Sequence, residues 1–238
     1  MKKKSYSNRT LRSKLLATLS ANDWFRLWTK MHADIPTQHL ISPLFSALFS
    51  TREEIHWRAV FCMGQTVSSL ARKSLESARV VMRRLMWSLN DESGGIGWGA
   101  PEAMGEIMAR HPRLAEEYAS ILCSYIIPSQ GPDNYLEYRP LRQGAYWGIA
   151  RLAQASPEYV QSCRKDLEYG LERETEPKTL IFICLALTQF KEFSAKTTAN
   201  LHDLSQRDET ARIYWNNQFQ CMSLRSLAQS VLQKNPLL

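Results

Sequence analysis

Two ten-residue stretches of this chain are near copies of each other, and that self-similarity limits the fold more than any other feature of the sequence. Ile55-His56-Trp57-Arg58-Ala59-Val60-Phe61-Cys62-Met63-Gly64 aligns without gaps on Ile96-Gly97-Trp98-Gly99-Ala100-Pro101-Glu102-Ala103-Met104-Gly105. Ile, Trp, Ala, Met and Gly recur at identical offsets, and Leu48 and Leu89 precede the two copies by the same seven positions. A weaker third copy runs from Leu141 to Ala150, and a fourth, around Ile181 to Ala186, keeps only the apolar and small positions. Apolar spacing is helical almost throughout, with no sustained period-two alternation and no hairpin dipeptide such as Asn-Gly. A helical hairpin used several times over cannot bury both faces alone, so adjacent copies must stack. The expectation is an all-α, right-handed α-solenoid.

Punctuation sets the units. Ser156-Pro157-Glu158 reads as a helix start, with Ser as N-cap and Pro pre-set for the first turn. His111-Pro112-Arg113 and Ser42-Pro43-Leu44 read as breaks, since each Pro removes a helical hydrogen bond. Residues 21–50 are expected to give two helices, Ser77 to Leu89 one, and residues 207–234 two more. The atypical helices at both ends would cap the apolar faces of the stack. The longest link without helical pattern runs from Pro128 to Pro140, and loops of that length are commonly functional.

A period near 41 residues and the run from Leu89-Asn90-Asp91 through Ile96 to Ala103-Met104-Gly105 resemble the HEAT repeat, especially its shorter PBS-lyase-like form. The likeness extends over residues 40–190 and is strongest over 55–105. It implies a stacked-hairpin fold and, by itself, little about chemistry. In HEAT repeats a basic residue follows the aliphatic one and ladders between units. Here the position holds His56, then Gly97, then Arg142.

The formal charge of +7 sits almost entirely in residues 1–14, where Lys2, Lys3, Lys4, Arg9, Arg12 and Lys14 meet no acid. The remainder carries 24 basic and 23 acidic residues, so its own balance is +1. We read residues 1–14 as a disordered basic tail and 15–238 as a single HEAT-like domain. Polar residues interrupt the apolar segment after the tail, which argues against a signal peptide. No apolar run reaches the ~20 residues a membrane-spanning helix needs. Cys62, Cys123, Cys163, Cys184 and Cys221 are odd in number, widely spaced and lack a C-x-x-C, the pattern of reduced core thiols in a cytoplasmic protein.

Several stretches are candidates for binding. Asp91-Glu92-Ser93-Gly94-Gly95-Ile96-Gly97-Trp98-Gly99 holds four of the ten glycines. It is either a binding turn with Trp98 as a stacking surface, carrying Asp91, Glu92 and Glu102, or a tight inter-repeat turn with Trp98 packed away. Its glycines do not follow a strand, as a dinucleotide fingerprint requires. Arg72, Lys73, Arg79, Arg83 and Arg84 cluster within thirteen residues, and Arg79 and Arg83 lie one helical turn apart. They are either a phosphate- or acid-binding surface or a solvated helix face. Tyr135, Tyr138 and Arg139 in the long loop, with Tyr146 and Trp147 nearby in sequence, are either an aromatic-basic patch or loop aromatics that cover a solenoid edge, and Arg142 is a further candidate for binding. Glu102 and Glu106 are one turn apart without a His partner at helical spacing, and the five histidines form no H-E-x-x-H. No catalytic residue, metal or cofactor is assigned.

The leading functional reading is a non-catalytic scaffold that binds another protein on its concave face or its Gly/Trp edge. Nucleic acid, met by the Arg72–Arg84 cluster and the basic tail, is the alternative partner. Met104-Gly105-Glu106-Ile107 with His111-Pro112 and Tyr118 resembles a segment of bacterial alkylpurine DNA glycosylases. In that family the catalytic Asp lies shortly before this segment, where this chain has Gly97, with Asp91 and Glu92 the nearest carboxylates. The PBS-lyase-like pattern implies a third reading, a bilin lyase-like protein.

Overall fold

A computed structural model of the chain describes residues 7–89, 97–128 and 134–234. They pack as two compact units that divide between His111 and Pro112, where the sequence reads as one domain over 15–238. The first unit holds α1 (Asn8–Ser20), α2 (Trp24–Asp34), α3 (Thr37–Leu48), α4 (Glu53–Lys73), α5 (Leu75–Leu89) and α6 (Ala100–Met108). The second holds α7 (Pro112–Ser124), α8 (Arg139–Ala155), a 3-10 segment Pro157–Cys163, α9 (Arg164–Arg173), α10 (Pro177–Leu187) and α11 (Ala195–Leu204). It is completed by β1 (Thr210–Trp215), β2 (Gln218–Ser223) and α12 (Leu224–Gln233).

The sequence repeat marks the central helices. Copies one to four fall on α4, α6, α8 and α10, which are largely covered: every residue of α6 is buried, and so is most of α4, α8 and α10. A helix covered all round needs neighbours on every face. In the first unit α4 packs on α3, α5 and α6. In the second, α10 packs on α8, α9, α12 and β1. The small residue closing the repeat allows close approach. A Cβ on Gly64 would lie 2.6 Å from Glu106 Cγ, so a larger residue there would have to push the Glu106 side chain of α6 aside. In the second unit a Cβ on Gly170 of α9 would lie 2.8 Å from the Tyr146 hydroxyl of α8.

Four expectations need correction. The basic segment is not a tail up to residue 14, because α1 begins at Asn8 and buries Leu11, Leu15 and Leu19 along one face; residues 1–6 lie outside the described chain. Pro43 does not break α3 but sits inside it, buried. The lost hydrogen bond and ring clash cost ~3 kcal/mol, which the burial of Leu40, Leu44, Phe45 and Leu48 around it offsets. Ser156 makes no side-chain cap, and the chain after it is a 3-10 segment before α9.

The region 207–234 holds one helix preceded by an antiparallel hairpin instead of two helices. Trp215 pairs with Gln218 across Asn216 and Asn217, both at positive φ (51° and 67°), the requirement of a two-residue type I′ turn. Asn-Asn supplies the left-handed backbone that Asn-Gly usually does. The inner strand buries Ile213, Tyr214 and Trp215, and the Trp147 indole N–H of α8 donates to the Tyr214 carbonyl at 2.8 Å.

Four of the five cysteines are buried, and only Cys221 on β2 is exposed. Burial pushes the Cys62 thiol well up and the Cys184 thiol to about 12. Cys123 and Cys163 face each other, Sγ to Sγ 2.8 Å, and this hydrogen bond together with burial pushes Cys163 up as well. Because the thiolate is the reactive form, a thiol-specific chromogenic disulfide should label one cysteine per native chain and five after unfolding.

Candidate functional site

Where the first two repeats meet, α3 ends at Leu48, the chain turns through Phe49, Ser50 and Thr51, and the turn before α6 presents Trp98. Leu48, Phe49, Ser50, Thr51, His56 and Trp98 line a cavity of about 400 Å³. Phe49 is 47% exposed and Trp98 36%. Trp57, at the same repeat offset as Trp98, is buried. The repeat therefore uses one tryptophan as core and the other as a wall.

Two glycines bring Trp98 to this place. Gly99, the residue before α6, holds φ 75°, and a Cβ there would lie 3.0 Å from His56 Cε1 and 3.2 Å from Leu48 Cβ. A Cβ on Gly97 would lie 2.7 Å from the Ser88 carbonyl oxygen, which is backbone and cannot give way. The glycines serve a tight turn, and the same turn exposes an indole face. Both readings of the stretch meet here. Asp91 and Glu92 lie outside the described residues.

His56 orients the polar side of the cavity. Its Nδ1 lies 2.8 Å from the Leu48 carbonyl and so carries the proton that it donates there. Its Nε2 then faces Glu102 Oε1 at 4.0 Å across the turn. Glu102 is buried, and so is Glu106, but the two carboxylates diverge, since Glu106 is held by Arg110. Among the described residues no three His, Cys, Asp or Glu side chains converge as metal ligands would. His56 is the residue sequence reasoning passed over; the signal for it was its place at the repeat's basic position.

The Arg72–Arg84 residues do not form one surface. Glu76 binds Arg79 at 3.4 Å and Arg83 at 2.6 Å, and these arginines hold its carboxyl below the usual range. Arg84 stacks on Phe45, 4.0 Å from the ring centre. Arg72 points back along α4 to Ser68 and Ser69. Exposed Val80 and Trp87, 71% accessible, occupy α5 beside these arginines.

The aromatic-basic stretch of the second unit divides: Tyr138 and Arg139 are exposed, and around Arg142 it is a structural knot. Arg142 is buried; it binds Glu174 through two nitrogens at 2.6 and 3.3 Å and donates to the carbonyls of Leu136 and Glu137 at 2.7 and 3.0 Å. Burial opposes its charge, and Glu174 outweighs burial and raises its pKa. Arg142 and Arg173 both lie over the Tyr135 ring, while Tyr146 and Trp147 are buried. Replacing one partner strands the other as a buried charge, so Arg142→Met should cost about 3–5 kcal/mol in urea unfolding, and Glu174→Leu added to it should recover a large part.

No family model matches the chain. An uncharacterized protein of Archaeoglobus fulgidus is 28% identical over 131 residues, which are 53% of this chain and 63% of that protein. Among solved structures, a computationally designed armadillo repeat protein for modular peptide recognition superimposes with a TM-score of 0.53 over 95% of this chain and 92% of its own, at 16% identity. A second designed armadillo repeat protein gives a TM-score of 0.50 at 17% identity, over 94% of this chain and 99% of its own. No helix among the described residues is long and apolar enough to cross a membrane. The chain has the fold of an armadillo-type α-solenoid.

Proposed function

We propose that this protein is a non-catalytic repeat scaffold that binds a protein partner, and that the Phe49–Trp98 cavity is where the partner anchors. The observation that carries this reading is the concave site itself, walled by two part-exposed aromatic rings and rimmed by the hydroxyls of Ser50 and Thr51. Aromatic residues in a central pocket supply most of the energy of many interfaces, and polar groups around them fix orientation. An apolar side chain from an extended segment fits such a cavity, with His56 available to hydrogen-bond beside it. Peptide recognition by designed proteins of this fold is consistent with that use, and Glu76 leaves the α5 arginines less free to hold phosphates.

Crosslinking mass spectrometry on the tagged chain in its native cell tests the proposal. Trp98→Ala and Phe49→Ala should each weaken capture of the same crosslinked protein about tenfold or more, as hot-spot truncations do, while Arg83→Ala leaves it unchanged. Loss with Arg83→Ala alone, or salt-dependent duplex binding with base release from alkylated DNA, would overturn it.

A further inference from the structure

A second cavity of the first unit, of about 420 Å³, is lined by His32, Gln65, Ser68, Ser69, Arg72 and Arg110. We infer that it binds a phosphate dianion, free or carried as a monoester. Arg72, Ser69 and Gln65 of its lining offer donors. Arg72 is held by its own helix, Nη1 donating to Ser68 Oγ at 3.0 Å and Nη2 to Ser69 Oγ at 2.8 Å. Ser68 in turn donates to the Arg110 carbonyl at 3.2 Å. The guanidinium is thus placed before any ligand arrives, the condition under which charge-assisted hydrogen bonds cost least to form.

The charge is uncompensated. Among the described residues no carboxylate pairs with Arg72 or with Lys73 beside it, while Arg110 is paired with Glu106. Gln65 accepts from the Trp28 indole at 2.5 Å, so its carbonyl is spent and its amide N–H groups remain. The Nε2 of His32 is buried and has no hydrogen-bond partner. An orphaned buried nitrogen costs about 1–3 kcal/mol; the cavity itself offers the remaining N–H groups of Arg72, the Ser69 hydroxyl and the Gln65 amide, donors that complement an oxyanion. Arg72 at the cavity and Lys73 close enough to be felt by His32, neither paired with a carboxylate among the described residues, favour a dianion over a singly charged diester. The cavity has the size of small-ligand sites, large enough for the organic part of an ester.

His32 also supplies the readout. Burial, and after it Arg72 and Lys73, hold its pKa below the ordinary value; Arg110, paired with Glu106, lines the same cavity. A bound dianion stabilises the imidazolium, so the His32 pKa must rise on binding. The full chain is titrated with inorganic phosphate, O-phosphoserine and dimethyl phosphate at matched ionic strength and followed through the His32 ring resonances. We expect saturable binding of the first two with a dissociation constant of about 1 mM or tighter, and dimethyl phosphate about tenfold weaker. Tighter binding of O-phosphoserine assigns an esterified ligand and the reverse order assigns free phosphate. Arg72→Gln, an exposed change that leaves the fold in place, should weaken both about tenfold, and Arg83→Gln should change neither. No saturable His32 shift, a shift that survives Arg72→Gln, or equal binding of dimethyl phosphate would overturn the assignment.

Discussion

The missing side chain of Gly64 is the constraint on which the first unit is built. Without a Cβ there, α6 settles against α4 closely enough for Glu106 and Arg110 to lie across the gap, and Arg110 then covers Phe61 at 4.7 Å. Cores are close-packed, so a methyl group at that point must displace the facing Glu106 and Arg110 side chains. In the second unit Gly170 plays the corresponding part against Tyr146 and Ile183. Repeats of this kind succeed because one small residue per unit sets the spacing at which everything else is placed.

The repeat's basic position explains why the two units differ in character. Arg142 crosses to Glu174 just ahead of the next central helix and closes a buried ion pair. At the same position of the first copy, His56 reaches toward Glu102 of the next central helix at 4.0 Å without closing. The second copy has Gly97 and no side chain to extend. A shorter, weaker ligature at His56 leaves room beside the turn, and the cavity between Phe49 and Trp98 occupies that room. The closed ladder stabilises, and the loosened one leaves a surface.

Much of the fold was legible because a 41-residue echo reports stacking directly, and the copies landed on the four central helices. What the sequence hid follows physical rules that local pattern does not carry. Pro43 reads as a break, yet burial around it outweighs its local cost. The hairpin escaped because Asn216-Asn217 lacks the glycine normally sought and its outer strand is largely polar. Trp98 was identifiable as a candidate, but its cavity needed Phe49 and His56, which only the turn after α3 brings to it. Arg72 to Arg84 are contiguous in the sequence, yet they diverge in space because α4 ends at Lys73 and α5 starts a new direction.

The hairpin has a consequence for how the second unit comes to fold. Solenoid contacts are mostly between neighbours, which lets such chains assemble progressively from any nucleus. The bond from Trp147 to the Tyr214 carbonyl spans 67 residues, and the Trp147 and Trp215 rings meet edge to face at 5.9 Å. The loop that this contact closes adds an entropic cost before any gain, and non-local pairings of that kind slow folding. α8 therefore keeps part of its apolar surface open until the last quarter of the chain is present. On a ribosome the second unit waits for its own strands.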